Sequence, residues 1–249
     1  MQFHHHGYVS TDPRIAPAAG IGLDRPAELP SEIDVLIVGS GPAGIVAAAQ
    51  LAQFPGVVTR IVERRPERLA IGQADGIQAR SVETFQAFGV AQQIIQEAYQ
   101  STEMAFWKPS ADEPGRITRT AIAPDDPAGI SEFPHLIVNQ ARVIDYFAEY
   151  AKHSPARGDV DYGYEFAGLV VEDSGEYPVV VALRRTSGPD AGYEVTVLAR
   201  YVVGADRARS GVRRAIGGTL SGDQAFHAWG VMDTVAVTTF SDIREKRAA

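Results

Sequence analysis

The chain has 249 residues, of which 45% are hydrophobic and none is cysteine, and it carries a formal net charge of −8 at pH 7. That length holds one large or two small domains with a sizeable core. The acidic balance argues against nucleic-acid and anionic-membrane partners, and the lack of cysteine excludes disulfides, thiolate catalysis and thiolate-bound metals.

No apolar run reaches membrane-spanning length, and no basic segment precedes an apolar one at the N-terminus, so a cytoplasmic protein is expected. His4, His5 and His6 read as a solvated tail, and no metal site is expected. Residues 1–31 carry Pro13, Pro17, Pro26 and Pro30 and read as an extended surface lead-in without a core of its own.

The pattern sharpens at Glu32. Residues 32–38 read as a strand, Gly39-Ser-Gly41-Pro-Ala-Gly44 as a glycine turn, the Ala-rich run to Phe54 as a helix, and residues 57–63 as a second strand. A βαβ unit of this GxGxxG kind binds the ADP half of FAD or NAD. Gly39 allows the tight turn, Gly41 lets the backbone approach a pyrophosphate, and Gly44 lets the helix pack on the strand. Pro42 suits the first helical turn, and the helix start at Ala43 offers N–H groups and a positive dipole end to phosphates. Glu63, 24 positions after Gly39, ends the second strand, where its carboxylate can accept from both ribose hydroxyls. The competing reading is a structural β-turn-α with no ligand.

Arg64, Arg65, Glu67 and Arg68 form a charged cluster, most simply a solvated loop, with phosphate contact as the second reading. A polar loop spans 71–80, and Ser81 begins a helical pattern through Val82, Phe85 and Phe88. Gly89 can cap that helix, and Val90, Ile94, Ile95 and Ala98 mark another. Phe106-Trp107 begins a strand. Pro109, Pro114, Pro124 and Pro127 make the next region loop-rich. Leu136-Ile-Val is a short strand, Asn139 an N-cap, and Val143, Ile144, Phe147, Ala148 and Ala151 one helix face. Runs at 169–171, 179–183 and 195–203 are strand-like and form a β-rich insertion. Tyr201 to Arg214 then reads as a second βα junction facing the cofactor, and a last strand is expected from Trp229.

These motifs together resemble the FAD-dependent aromatic hydroxylases, the group A flavin monooxygenases. The likeness rests on Val38-Gly-Ser-Gly-Pro-Ala-Gly44, Gly72-Gln-Ala-Asp75-Gly-Ile77 with Arg80, Ser131-Glu-Phe-Pro-His135, Asn139-Gln140-Ala-Arg142, Tyr201-Val-Val-Gly-Ala-Asp206, Ala-Arg-Ser210, Val-Arg-Arg214, Ala228-Trp229-Gly-Val-Met-Asp233 and Asp242-Ile-Arg-Glu-Lys246. It covers nearly all of this chain and less than half of such an enzyme. The implied fold is α/β: a lead-in over 1–31, a Rossmann-like FAD-binding domain over 32–218 with loop and β-rich insertions, and the start of a substrate-binding sheet over 219–249. Two features of the family are not found within the 249 residues, a second, Gly-Asp-Ala-type cofactor turn and a thioredoxin-like domain.

The resemblance implies that NADPH reduces FAD, that O₂ gives a flavin hydroperoxide, and that one oxygen passes to a phenolic acid such as 3-hydroxybenzoate. It implies cofactor contacts by Arg80 at the pyrophosphate, Gln140 at ribityl or phosphate groups, and Asp206 at ribityl hydroxyls. Lys246 matches a position that can favour phenolate, Asp75 one that can orient Lys246 or take the phenolic proton, and His135 one that can contact substrate or relay a proton. Each has a plainer reading: a turn for Asp75, a strand cap for His135, a chain end for Lys246. Family members often form homodimers. Arg207 departs from the family's glycine; if that position has positive φ, arginine costs roughly 1–2 kcal/mol. Two alternatives stand beside the hydroxylase, a non-catalytic fragment that binds FAD or an adenine nucleotide, and an NAD-linked dehydrogenase, which leaves the Asp75 loop and Asp206 turn unexplained.

Overall fold

The computed structural model describes residues 25–26, 28–72, 74–223, 237 and 247–248. His4–His6, Lys246 and the strand expected from Trp229 lie outside the described residues. The contacts define two compact units, a smaller one around Asp75–Val138 and a larger one on either side of it in sequence, up to Ala74 and over Asn139–Leu220.

The larger unit begins with the expected βαβ: β1 (Glu32–Val38), α1 (Pro42–Leu51) and β2 (Thr59–Glu63). In β1, Ile33, Leu36 and Ile37 have no exposed surface. A strand apolar on successive positions suits a parallel sheet covered on both faces. In α1 the buried positions include Gly44, Ile45, Ala48 and Ala49. The small volumes of Gly44, Ala48 and Ala49 let the helix lie close to its neighbours.

In the smaller unit, β3 (Gly76–Ile77) leads into α2 (Ala79–Ala87) and α3 (Ala91–Glu97). α2 starts two residues before Ser81, and Gly89 follows it with φ +76°, as a helix-ending glycine does. β4 (Tyr99–Ser101), β5 (Glu103–Pro109), β6 (Ile117–Pro124) and β7 (His135–Ile137) follow. The region expected to be loop-rich contains β6, paired antiparallel with β5. The prolines do not interrupt these strands. Pro109 and Pro124 are their last residues, while Ile117-Thr-Arg-Thr-Ala-Ile supplies β-branched side chains between. β7 lies between β3 and β4.

The chain re-enters the larger unit at α4 (Gln140–His153), which Asn139 caps through a 2.8 Å hydrogen bond from the Ala141 N–H to Oδ1. Val143, Ile144, Phe147 and Ala151 are buried, as the apolar face required, and α4 packs on α1. Then come β8 (Val160–Tyr162), β9 (Tyr164–Val171), β10 (Val179–Arg185), β11 (Glu194–Gly204) and the one-turn α5 (Gly211–Ala215). The β-rich stretch is an insertion in sequence but shares the main sheet, ordered β8-β2-β1-β11-β10-β9. The length of β11 explains this. Its first half pairs antiparallel with β10 and its second half parallel with β1, with Leu198 and Ala199 in both ladders. In the smaller unit, β12 (Arg247–Ala248) pairs in parallel with β5.

The described end of the lead-in is tied to the sheet. Arg60, almost fully buried, donates to both Asp161 oxygens at 2.8 and 2.6 Å, and its remaining nitrogen reaches the carbonyls of Pro26 and Glu28. Leu29 packs against the core formed by Ile33, Leu36, Val181, Leu183 and their neighbours. The lead-in therefore adds to the core of the larger unit.

The tightest approach in that unit is at Gly44, where a Cβ would lie 1.9 Å from the Gly39 carbonyl oxygen. Backbone on both sides leaves no flexible atom to yield. Gly44→Ala is expected to destabilise the chain by about 2–4 kcal/mol, a fall in Tm of roughly 5–15 °C measured by circular dichroism.

Candidate functional site

The tip of β1 is held from two sides. The Gly39 N–H donates to the Val62 carbonyl and the Ala205 N–H to the Val38 carbonyl, both at 2.8 Å. The glycine turn therefore sits between the end of β2 and the turn after β11. Gly39 has φ +101°, and a Cβ there would fall 2.6 Å from the Ala205 oxygen. Gly39 and Gly44 are thus demanded by the chain itself.

Gly41 is different. Its φ of −69° and ψ of 178° are open to any residue. A Cβ built on it meets nothing within 4 Å. Among the described residues, neither backbone conformation nor internal packing requires glycine there. Gly41 is also the N-cap of α1, with Pro42 following and no side-chain cap. The amides of Ala43 and Gly44 lack intrahelical acceptors and provide an anion cradle with the helix dipole behind it.

Glu63 ends β2 beside this turn, and the sequence reading missed what holds it. Its Oε2 accepts from the Ser40 N–H and hydroxyl, each at 3.0 Å, and lies 3.1 Å from the Arg65 guanidinium. Its Oε1 accepts from the Arg65 N–H at 3.1 Å. Burial pushes this carboxyl up. The Arg65 and Ser40 amides, the Arg65 charge and the Ser40 hydroxyl outweigh burial and hold it below its ordinary 4.5. The protein thus occupies Oε2, while Oε1 accepts only from the Arg65 N–H among the described residues and retains further acceptor capacity. Tyr162, opposite Glu63 in register, is pushed up to about 12, first by burial and then by nearby acids, against the Arg65 charge.

The charged cluster after β2 is not simply solvated. Arg64 and Glu67 are exposed, but Arg68 makes a bidentate pair with Asp145 of α4 at 3.0 and 2.6 Å, and buried Arg142 joins the same carboxylate at 3.2 Å. The partner lies 77 residues away, beyond the reach of local pattern. Gln140 opens α4, its N–H donating to the Ala74 carbonyl at 3.2 Å. A Cβ on Gly72 would lie 2.4 Å from the Gln140 Cβ, so this loop lies directly on the start of α4.

Asp206 stands in the turn after β11. Its Oδ2 accepts from the Gly211 and Val212 amides at 2.6 and 3.2 Å. Burial raises its pKa, but the Ser210 hydroxyl and these amides together bring it below the ordinary value. Oδ1 is buried without a hydrogen-bond partner among the described residues, an acceptor awaiting a donor. Next to it, Arg207 has φ +71°, so the conditional strain of roughly 1–2 kcal/mol applies. With Ser210, Val212 and Arg213 it lines a groove of about 380 Å³. Arg213 and Arg214 donate to the Ala208 and Arg209 carbonyls, a structural role.

Asp75, Arg80 and His135 belong to the smaller unit. Asp75 is exposed, and its main-chain oxygen accepts from the Val138 N–H at 2.8 Å. Arg80 is exposed on the first turn of α2. His135 is the first residue of β7, as a strand-opening residue would be, but its ring is buried and its Nδ1 lies 2.9 Å from Asp125. Asp125 was passed over in sequence because it follows Pro124 in a stretch read as loop. The structure therefore gathers the glycine turn, Glu63 and Asp206 at one edge of the larger unit's sheet, and in the smaller unit it places Asp75 just before β3 and His135 at the start of the neighbouring β7.

Residues 32–249 match the FAD binding domain family. The chain is 48% identical to 3-hydroxybenzoate 4-monooxygenase of Comamonas testosteroni over 249 residues, which is 100% of this chain and 39% of that protein. It is 38% identical to the FAD-dependent monooxygenase terD of Aspergillus terreus, over 87% of this chain and 35% of that protein. Among solved structures it is similar to the flavin-dependent monooxygenase PieE in complex with FAD and substrate, with TM-score 0.63 and 26% identity over 77% of this chain and 33% of that one. It is likewise similar to aklavinone-11 hydroxylase in a ternary complex with FAD and aklavinone, with TM-score 0.59 and 28% identity over 76% of this chain and 36% of that one. The chain spans about a third to two fifths of the length of these relatives.

The depressed Glu63 pKa carries a pH dependence. Its contribution is complete above the unfolded value of 4.5 and is lost as pH falls through the lower folded value. Urea unfolding is expected to show Glu63→Gln less stable than the parent by about 1–3 kcal/mol at pH 7, with the gap closing on acidification below pH 4.5.

Proposed function

Because this chain belongs to the FAD binding domain family, we propose that it forms the flavin-holding part of a monooxygenase that hydroxylates a phenolic aromatic acid such as 3-hydroxybenzoate, with NADPH as reductant and O₂ as co-substrate. The observation that carries the reading is Gly41, a glycine with an ordinary backbone and open space where its side chain would be. The Comamonas relative supports the substrate class.

Two further features fit FAD. The unpartnered Asp206 Oδ1 is an acceptor for a ribityl hydroxyl. The open side of Glu63 is an acceptor for a ribose hydroxyl. The Ala43 and Gly44 amides would hold the pyrophosphate, with Gln140 at the start of α4 and Arg80 as further polar contacts. When bound, the flavin supplies the redox and oxygen-transfer chemistry. The chain's part is to bind it, orient it and manage the substrate's proton. Asp75, His135 and Lys246 serve that last task in this proposal. A cation at Lys246 would favour phenolate, since an opposite charge within about 4–6 Å moves a pKa by roughly 1–3 units. In the same proposal residues 219–249 begin the substrate-binding domain, and the protein is a cytoplasmic homodimer.

The experiment is product analysis in aerated buffer with FAD, NADPH and 3-hydroxybenzoate. Ring-hydroxylated product with phenol-stimulated NADPH oxidation is expected, and the absence of hydroxylated product from every phenol tried would overturn the reading. Gly41→Ala is expected to keep its Tm within about 2 °C of the parent while weakening FAD binding at least tenfold, about 1.4 kcal/mol. Unaltered affinity would remove the observation on which the proposal stands.

A further inference from the structure

Three side chains at the β1 edge form a closed set of hydrogen bonds. The Arg65 guanidinium donates to the Ser40 Oγ at 3.2 Å, and that hydroxyl gives its one proton to Glu63 Oε2 at 3.0 Å. The same guanidinium nitrogen lies 3.1 Å from Oε2, and the Ser40 N–H donates to Oε2 at 3.0 Å. Ser40 is 1% exposed, and the Glu63 and Arg65 side chains are 9% and 27% exposed. Arg65 is also fixed through its main chain. Its N–H donates to Glu63 Oε1 at 3.1 Å, and its carbonyl accepts from the Gly163 N–H at 2.9 Å.

An ionised carboxylate has about four acceptor sites, shared equally by its two oxygens. Oε2 meets the Ser40 N–H, the Ser40 hydroxyl and the Arg65 guanidinium, more donors than its share of those sites. Oε1 meets one donor among the described residues, the Arg65 N–H, and keeps one site. The carboxylate cannot turn to exchange its oxygens without breaking contacts to Ser40 and to Arg65 together. Ser40 stands between Gly39 and Gly41, so the clamp ties the glycine turn to the acid that ends β2.

We propose that Ser40 and Arg65 are positioning residues for nucleotide recognition: they hold the Glu63 carboxylate so that one acceptor site on Oε1 is left, and the ribose next to the adenine is read through one of its two hydroxyls. That the nucleotide is the ADP half of FAD rests on the function proposed above. Ser40 and Arg65 act only through Glu63, and neither side chain touches the ribose. The site requires one ribose hydroxyl and tolerates the loss of the other.

The test is isothermal titration calorimetry of the full chain with ADP, 2′-deoxy-ADP and 3′-deoxy-ADP as probes. In the parent, one deoxy analogue is expected to bind roughly tenfold or more weakly than ADP, as loss of a hydrogen bond to a charged group requires, and the other within about threefold of it. Weakening of both to that extent, or of neither, overturns the proposal. Ser40→Ala is expected to shrink the ratio between ADP and the sensitive analogue by roughly threefold or more. Arg65→Met, which keeps the main-chain N–H, is expected to shrink it as well. The ratio compares two ligands on one folded protein, so a purely structural loss weakens both and leaves the ratio unchanged. A parent-like ratio in either folded variant overturns the role assigned to that residue. ADP that does not bind the parent overturns the flavin reading and this inference together, whereas ADP and both analogues bound with equal affinity overturn this inference alone.

Discussion

The contact between the Gly39 carbonyl and Gly44 governs the larger unit. It leaves no space for a single carbon atom on residue 44, so α1 can approach β1 this closely only with glycine at that position. The same turn is crowded from above by Ala205, whose carbonyl would touch a side chain on Gly39. Three segments distant in sequence are thereby brought to one point: the end of β1, the start of α1 and the turn after β11. The position of Asp206 follows directly, because it is the residue after Ala205. A change that pushed α1 outward would also move the acid that faces the same edge.

Around this point the charges are mostly satisfied by the protein. Glu63 is held by Ser40 and Arg65, Asp145 by Arg68 and Arg142, and Asp161 by Arg60 and Arg25. Buried ion pairs of this kind hold geometry more than they add stability, since desolvation offsets much of the attraction. Among the described residues, this leaves the β1 edge with a small set of unused groups. These are the helix-start amides, the space at Gly41, the remaining capacity of Glu63 Oε1 and the unpartnered Oδ1 of Asp206. The first suits an anion and the last a hydroxyl, and a dinucleotide carries both.

Much of the larger unit was legible in the sequence because its signals are local. The apolar run of β1, the glycine spacing, the Asn139 cap and the buried face of α4 each follow from residues within a few positions of one another. β6 was not legible, because prolines that end strands were read as breaking them. β8 was too short to register. The partners of Glu63 were missed for another reason. Ser40 lies 23 residues away and becomes a neighbour only once β1 and β2 pair. Asp125 and His135 are ten apart, but they meet only because the fold brings the residue after β6 to the first residue of β7. Arg207 was legible as a departure, and its φ of +71° shows the strain that its side chain carries.

The central claim is that the open space at Gly41 is the seat of the flavin's pyrophosphate. The most direct measurement is the visible absorption spectrum of the purified chain after incubation with FAD and passage through a desalting column. Retained flavin absorbance, displaced by excess ADP but not by riboflavin, is the result expected from a site that holds the nucleotide end. Flavin that passes entirely into the small-molecule fraction would contradict the claim.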